Sequence, residues 1–501
     1  MFARALLWLK THPISILVGS LVVVVSLIII SCGGGSTSIQ SLSMGTVSVS
    51  LGDPPSCAAS AGAAATAPGT FASVWITIQS VKAHISSTVD ANSPGWQELA
   101  PQLNSAPIQL DLLHLPANRQ CLLQQLGSAS LPAGDYQQIR LILLANAATS
   151  TPPSTNACAS LGNVFNCVVV VDGNVAHTLD LSSEQQTGLK IPPGQIMGGP
   201  IHVTAGQSVD LNIDFNTCAS IIRQGNGDFR LKPVLTAGVV SANMTGISGR
   251  IVDSVTSKPI AGAIVTLQVA DKSGIDHIAM ESQTDSTGHF GFCPLATGTV
   301  FDVVVDGMTS SGTAYDATVV FNVTGGTNLD AVPLIAETAA TAGASTGAGT
   351  IQGVVTAVNG TTGAKIDATV SALQTVMVSN MSHTFTVPPF QKPASLVIQV
   401  TSSTSCAMGS PTGAFCGSYS LIVPASNPNV GTISAGKITF TAPASGDVLY
   451  TVEADATNPT SDAAICSPSS QTTSKDSNGM PLKVTPGATT NSAPIDFSEC
   501  S

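Results

Sequence analysis

The chain has 501 residues, enough for about three domains, and only 9% of them are charged. A hydrophobic fraction of 43% with a net charge of -12 excludes a disordered chain, because disorder needs few apolar residues and a high net charge. The 17 lysines and arginines form no basic run beyond the first residues, so we expect no nucleic-acid partner.

The N-terminus combines a basic start with a long apolar run. Arg4 and Lys10 precede an uncharged stretch over residues 14–30. This stretch is slightly short of the about 20 residues that a spanning helix needs, so its length alone leaves a signal peptide and an uncleaved spanning helix open.

The residues that follow the apolar run distinguish these alternatives. Ile29, Ser31 and Cys32 resemble the lipobox of bacterial lipoproteins, which implies cleavage before Cys32 and acylation of that residue. We therefore predict a signal peptide over residues 1–31 and a glycine-rich tether over 32–44. The partner would be a membrane, held through a lipid anchor. Gly33 in place of aspartate favours an outer membrane by the same resemblance, with the protein in the cell envelope on the exported side.

Alternating strands and turns fill residues 45–240. The stretch "FASVWITIQSVKAHIS" predicts a long strand with Val74, Ile76, Ile78 and Val81 on its buried side. A hairpin is expected around Asp172-Gly173, and two strands on either side of Ala205-Gly206. Helical periodicity is brief, over the stretch "NRQCLLQQL".

The first region resembles one family along nearly its whole length. The matching pieces are "VSLGDPP", "SVWITIQSVKAHIS", "GWQEL", "IQLDLLHL", "LPAGDYQQIRLIL", "TGLKIP" and "VDLNIDFNTCASIIRQGNGDFRLKPVL". They are similar to the bacterial domain of unknown function numbered 4382. The resemblance implies an exported β-sandwich-like domain and brings no activity with it.

Residues 245–337 carry a second pattern. Gly249, Asp253 and Pro259 are followed by Thr284, Asp285 and Gly288, then by Phe290 and Phe292. The spacing resembles the carboxypeptidase regulatory-like domain, a small prealbumin-type β-sandwich that is not itself a peptidase. Gly288 suits a hairpin turn, and the two phenylalanines at i and i+2 face one core.

The C-terminal part begins with a compositional linker over 338–349. Seven short strands between turn signals over 350–456 predict an immunoglobulin-like sandwich. Residues 457–501 are polar and predict a loop-rich tail tied by a disulfide. The predicted fold class is therefore all-β, with tandem immunoglobulin-like and prealbumin-like β-sandwiches behind an N-terminal hydrophobic signal helix.

The chain has eleven cysteines, ten once Cys32 is set aside for the lipid. An even number in an exported protein indicates structural disulfides. Close spacing suggests the pairs Cys158–Cys167, Cys406–Cys416 and Cys466–Cys500. Cys57, Cys121, Cys218 and Cys293 stay unassigned.

The sequence lacks the usual signatures of catalysis and of metal binding. There is no CxxC, HxH or HExxH, so we expect no metal, no cofactor and no catalytic residues. Trp75 and Trp96 are candidates for an aromatic ligand platform, although packing of both is the favoured interpretation.

These observations predict a non-enzymatic, lipid-anchored cell-envelope protein for adhesion, scaffolding or display. The alternative is a carbohydrate-binding surface lipoprotein, which rests on fold analogy in the second region. The partners would be envelope proteins in the first case and glycans in the second.

Overall fold

The computed structural model describes residues 43–53, 71–118, 121–147, 153, 155–181, 187–224, 227–241, 245–309, 312–337, 347–390, 396–404, 406, 410–434, 436–459 and 464–501. The predicted signal peptide, most of the tether and Cys32 lie outside these residues, as does Cys57. Residues Met44–Ser501 belong to one compact unit. Within the described ranges, no helix is both long and apolar enough to cross a membrane.

The first region, residues 44–240, is built from short strands and a few single-turn helices. The strands are β1 (Met44–Gly52), β2 (Phe71–His84), β3 (Gln97–Glu98), β4 (Ile108–Asp111), β5 (Ala117–Asn118), β6 (Cys121–Pro132), β7 (Gly134–Tyr136), β8 (Gln138–Leu143), β9 (Cys167–Val170), β10 (Val175–Asp180), β11 (Leu189–Ile191), β12 (Ile196–Met197), β13 (Ile201–Val203), β14 (Ser208–Phe215), β15 (Ile221–Arg223), β16 (Phe229–Leu231) and β17 (Leu235–Val240). The helices are α1 (Thr217–Ser220) and the 3-10 turns Pro101–Asn104, Leu112–His114, Ala159–Leu161, Asp172–Asn174 and Pro193–Gln195.

Two sheets of the first region enclose its core. One has the order β12-β17-β14-β1-β6-β5, and the other β11-β8-β2-β9-β10-β16-β15, with β3 and β4 also paired to β2. Val49 and Leu211 from the first sheet share one apolar cluster with Ile76 and Leu141 from the second. This arrangement is a β-sandwich, in which the inner faces of two sheets interdigitate.

The long strand β2 has the predicted inner face. Val74, Ile76, Ile78 and Val81 are all fully buried. The pairing of β2 with β8 shifts by one residue between Ile78 and Ser80. Such a bulge moves the following side chains to the opposite face, so Val81 points into the core although strict alternation would select Ser80.

The structure differs from the sequence prediction at "NRQCLLQQL". The helical periodicity there is overridden, because β6 pairs antiparallel with β1 along almost the whole of both strands. A short apolar run carries a weak helical preference, and backbone pairing across nine partners outweighs it. The hairpin at Asp172-Gly173 is confirmed: β9 pairs with β10, and Gly173 has φ of +70°.

The second region, residues 247–334, forms a smaller sandwich. Its strands are β18 (Ile247–Asp253), β19 (Ile264–Ala270), β20 (Ile275–Gln283), β21 (His289–Phe292), β22 (Val300–Met308), β23 (Ala314–Thr324) and β24 (Asn328–Leu334). Phe290 and Phe292 both enter its core, as predicted. Gly288 has φ of +79°, and a Cβ there would lie 2.6 Å from the carbonyl oxygen of Ile251, so the turn requires glycine.

The third region, residues 349–497, forms another sandwich. Its strands are β25 (Gly349–Asn359), β26 (Thr362–Gly363), β27 (Ile366–Val378), β28 (Met381–Val387), β29 (Leu396–Val400), β30 (Phe415–Val423), β31 (Asn429–Ser434), β32 (Lys437–Thr441), β33 (Val448–Leu449), β34 (Thr451–Thr457), β35 (Ser470–Thr473), β36 (Lys483–Val484), β37 (Thr489–Asn491) and β38 (Ile495–Phe497). The tail is more ordered than predicted: β37 and β38 pair parallel with β25, and Phe497 enters the core.

One sheet runs through both the second and the third region. Its order is β32-β31-β23-β22-β19-β20-β28-β27-β34-β35, with β29 also paired to β27. β32 lies within the predicted immunoglobulin-like region, yet it extends the sheet of the second region through β31 and β23. Parallel pairs join the regions at two places, β20 to β28 and β23 to β31. The all-β class with tandem sandwiches is confirmed.

Four disulfides lie among the described residues. Three join Cys158 to Cys167, Cys406 to Cys416, and Cys466 to Cys500, the pairs that close spacing suggests. The fourth joins Cys121 to Cys293 and links the first region to the second across 172 residues. Spacing could not have found it, because its partners meet only through tertiary structure.

We expect the Cys121–Cys293 bond to stabilise the fold more than a local bond does. Loop-closure entropy predicts that replacing both cysteines by alanine costs about 5 kcal/mol, against about 3 kcal/mol for the Cys158–Cys167 pair. Urea unfolding of the two double variants without reductant measures the difference. Equal losses would show that the long link contributes no more than the short one.

Candidate functional site

The three regions meet where the ends of β16 and β27 come together. Arg230, at the centre of β16, forms an ion pair with Asp367 on β27, and its Nη1 donates to the carbonyl oxygen of Pro459 at 2.8 Å. The two side chains are 5% and 1% exposed. Because both charges are removed from water, each depends on the other for compensation.

A cleft of about 440 Å³ opens beside this pair, and we call it the junction cleft. All three regions contribute to its lining. The lining residues are Asn216, Ala219, Lys232, Val234, Asp271, His277, Ile278, Glu281, Thr369, Ser371, Thr386, Val397, Glu453, Asp455 and Ser470. Two other clefts, of about 510 and 670 Å³, lie on the third region and are lined by uncharged residues and one lysine.

The floor of the junction cleft is the polar face of β27 and β34. Alternation along β27 sends Ala368, Val370 and Ala372 into the core of the third region, so Thr369 and Ser371 face the other way. The register pairs Thr369 with Asp455 and Ser371 with Glu453. Four polar side chains therefore share one patch of sheet.

The roof of the cleft comes from the first region. Lys232 follows β16 directly, and its Nζ donates to Thr369 Oγ1 on the floor at 3.1 Å. Asn216 precedes α1 and caps it, because its side-chain oxygen accepts from the backbone N–H of Ala219 at 3.2 Å. The polar sheet face is thus covered by protein instead of water.

Carboxyl groups outnumber basic groups in the junction cleft. His277 lies 3.6 Å from both Asp271 and Glu453 and so bridges two of the acids. Burial raises the pKa of Glu453, and the nearby Asp455 adds to the effect. Burial likewise raises the pKa of Asp455. Burial opposes ionisation of Asp271 too, but the backbone N–H groups of Ile275 and Ser273 outweigh it and lower the pKa of that residue.

Further buried carboxyl groups lie outside the lining of the cleft. Burial raises the pKa of Asp214 to about 8, and it raises the pKa of Asp53 despite a 2.6 Å hydrogen bond from Thr217. Burial also raises the pKa of Asp306, and the charges of Glu337 and Glu281 add to it. Neither carboxyl oxygen of Asp306 has a hydrogen-bond partner among the described residues. These groups favour the neutral, protonated form.

One serine hydroxyl joins two of the buried acids. Ser426 Oγ contacts Asp316 and lies 2.7 Å from Glu337 Oε1. A hydroxyl has a single proton to donate, so one of the two carboxyl groups must carry a proton of its own. Burial raises the pKa of Glu337 to about 8 and that of Asp316 to about 6, which assigns that proton to Glu337 near neutral pH.

Of the two candidate platform residues, Trp75 lies on β2, and Trp96 lies just before β3 and packs against the C-terminal end of β2. Trp75 pairs with Asp111 and Cys167 and is half-buried. Trp96 packs on His84 with ring centroids 5.2 Å apart, lies 5.4 Å from the Arg140 guanidinium, and donates from Nε1 to the Asp90 carbonyl oxygen. Nine residues of strand at about 3.3 Å each separate Trp75 from His84, so the rings do not form one platform.

Sequence reasoning did not identify the residues of the junction cleft. The alternation of "TVEADAT" places Glu453 and Asp455 on one strand face, which is a readable signal. Nothing in the sequence indicates that Lys232 and His277 approach that face. Within the described residues, no three His, Cys, Asp or Glu side chains are arranged to hold a metal ion.

Breaking the buried ion pair should destabilise the fold strongly. Arg230→Ala leaves the Asp367 charge buried without its partner, and we expect a loss of about 3 to 5 kcal/mol in the free energy of unfolding. Arg250→Ala is the matched control. It breaks a pair with Asp330 in which both side chains are about 40% exposed, and it should cost less than about 1 kcal/mol. Similar small losses in urea unfolding would contradict a structural role for Arg230.

Stability should fall as the pH rises. The buried carboxyl groups have raised pKa values, about 6 for Asp316, about 7 for Asp276, and about 8 for Asp214 and Glu337. Between their ordinary values and these, the folded protein binds protons that the unfolded chain has released, so the free energy of unfolding decreases with rising pH. The stabilisation is complete below about pH 4 and is lost between about pH 5 and 8.

Urea unfolding at constant ionic strength tests this pH dependence. Glu337→Gln keeps the hydrogen bonds and removes one titrating group, so its curve should be flatter. Asp172→Asn, at an exposed turn, should leave the curve unchanged. A wild-type stability that stays level or increases from pH 5 to 8 would contradict the assignment.

Comparison with known proteins identifies one domain. Residues 44–233 match the family described as "Domain of unknown function (DUF4382)". No curated protein matches the chain. The first region, which supplies Arg230 and Lys232, is therefore a DUF4382 domain.

Solved structures give only remote likenesses. The Bacillus anthracis TIE protein is 9% identical with a TM-score of 0.15; the alignment covers 91% of this chain and 51% of that one, so the chain spans about half its length. The shaft pilin SpaA from Lactobacillus rhamnosus GG is 9% identical with a TM-score of 0.16, over 60% of this chain and 99% of that one. The Streptococcal ancillary pilin is 10% identical with a TM-score of 0.15, over 80% and 96%. Scores this low carry no argument about function.

Proposed function

We propose that the protein is a non-enzymatic, lipid-anchored envelope protein that displays a rigid β-body on the exported side of a membrane. The single observation behind this proposal is the way in which its regions are joined. Three sandwiches held by flexible linkers would move independently. Here a disulfide, a buried ion pair and a shared sheet hold them together.

A rigid body of this kind suits scaffolding, adhesion or display. Interfaces between domains of one chain are ordinarily modest and polar, and relative motion is the default expectation. Continuing a sheet from one region to the next removes that motion, because bending the joint would break backbone hydrogen bonds. The four disulfides suit an oxidising location outside the cytoplasm.

The alternative predicted from the sequence is carbohydrate binding, which rests on fold analogy in the second region; Trp75 and Trp96 do not supply it with an aromatic platform. The Trp96 ring packs against His84 and Arg140, and Trp75 lies on β2 at a distance from that contact. The ring of Trp96 therefore packs within the protein, and the two tryptophans do not form one surface.

Anchoring is tested in cells that receive a labelled fatty acid. We expect wild-type chain to incorporate the label and to fractionate with membranes, because several acyl chains at Cys32 hold a protein on a bilayer. Cys32→Ala should lose the label completely and leave the membrane fraction. Ser31→Ala is the matched control, since alanine keeps a small residue before the cysteine.

Label that persists on Cys32→Ala would refute the lipid anchor and favour the uncleaved spanning helix. Display by a rigid body is checked in the same strains by crosslinking in intact cells. Crosslinks between lysines of the first and third regions should have the same pattern in every preparation. A variable pattern would contradict rigidity.

A further inference from the structure

The junction cleft has two buried polar atoms that the described protein leaves without a hydrogen bond. Asn216 is 3% exposed, and its Nδ2 donor has no partner although its oxygen caps α1. Glu453 is 5% exposed; its Oε1 accepts from Ser470 Oγ at 3.0 Å, whereas its Oε2 accepts no hydrogen bond and has only the His277 ring at 3.6 Å. Buried polar groups are ordinarily satisfied, so an unmet donor and acceptor in one cleft point to a ligand.

The charge of the cleft specifies the sign of that ligand. Asp271, Glu281, Glu453 and Asp455 line it together with only Lys232 and His277 as bases. Lys232 Nζ is directed to the floor, where it donates to Thr369. The nearest atom to Glu453 Oε2 from His277 is at 3.6 Å, beyond hydrogen-bond distance. The cleft therefore has an excess of carboxyl groups, and a positive charge would relieve it.

The volume and the lining residues of the cleft further restrict the chemical class of the ligand. A volume of about 440 Å³ lies within the range of about 300–1,000 Å³ typical of small-molecule sites. No Phe, Tyr or Trp side chain lines the cleft among the described residues, so there is no broad stacking surface for an uncharged sugar ring. The described acids do not form a group suited to a metal ion.

We propose that the junction cleft binds a small organic cation, a primary ammonium compound that also carries hydroxyl or carbonyl oxygens. The ammonium group donates to Glu453 Oε2 and to Asp455, which lies two residues along the same face of β34. A hydroxyl or carbonyl oxygen of the ligand accepts from Asn216 Nδ2. Charge-assisted hydrogen bonds of this kind are the strong ones, and they are stronger still away from water.

This binding function is independent of the display role. Display depends on the anchor and on the joints between regions, whereas the cleft needs only the side chains that line it. Because the first and third regions both line the cleft, a bound ligand would also strengthen their joint.

Calorimetric titration of the full-length protein in detergent, at about 0.15 M salt to screen nonspecific attraction to an acidic chain, tests the proposal. The probes are glucosamine with glucose as its neutral match, and alaninamide with lactamide as its neutral match. At least one ammonium compound should bind at least about tenfold more tightly than its neutral match.

Two variants test whether the ammonium compound binds in the cleft. Glu453→Gln should lower the affinity for the ammonium compound at least about tenfold. Asp172→Asn, which changes an exposed carboxyl group elsewhere, should leave that affinity unchanged. If Glu453→Gln does not fold, Asp455→Asn gives the same comparison, because Asp455 is the less buried of the two carboxyl groups that bind the ammonium group. Equal binding of both ammonium compounds and their neutral matches, or tighter binding that survives these variants, would overturn the proposal.

Discussion

The edges of one small sheet determine how this molecule is assembled. In the second region, β20 and β23 are the outer strands of a four-stranded sheet, and an outer strand has a row of backbone groups that need partners. The third region covers both edges, with β28 on β20 and β31 on β23. Leaving either edge open would invite pairing with another chain. The protein closes them with its own strands, and the second and third regions are therefore continuous.

This closure has a consequence for the polar face of the shared sheet. Strands such as β27 alternate, so one face is apolar and the other carries Asp367, Thr369 and Ser371. In an isolated sandwich that face would be in water. Here the first region covers it, so the charged groups on that face become buried. Arg230 compensates Asp367, whereas the acids of the junction cleft are only partly compensated. The cleft thus exists because the first region covers this polar face but supplies too few basic groups to compensate all of its acids.

The same geometry explains why so many carboxyl groups favour their protonated forms. Burial is the largest cause for Asp214, Asp306 and Glu337, and neighbouring acids add to it for the last two. Protonation at lower pH removes repulsion inside the fold, so the free energy of unfolding is greater there.

The sequence by itself determined the fold class, the inner face of β2, the turn at Gly288 and the closely spaced cysteine pairs. These features are local: alternation and turn chemistry act within a few residues, and the cysteine pairs are 9, 10 and 34 residues apart. Only the tertiary structure decided that β6 is a strand, that β32 joins the second region and that Cys121 meets Cys293. It also decided the junction cleft, since Lys232, His277 and Glu453 come from three distant segments. Their meeting depends on which sheet edges pair, and a single sequence does not record that choice.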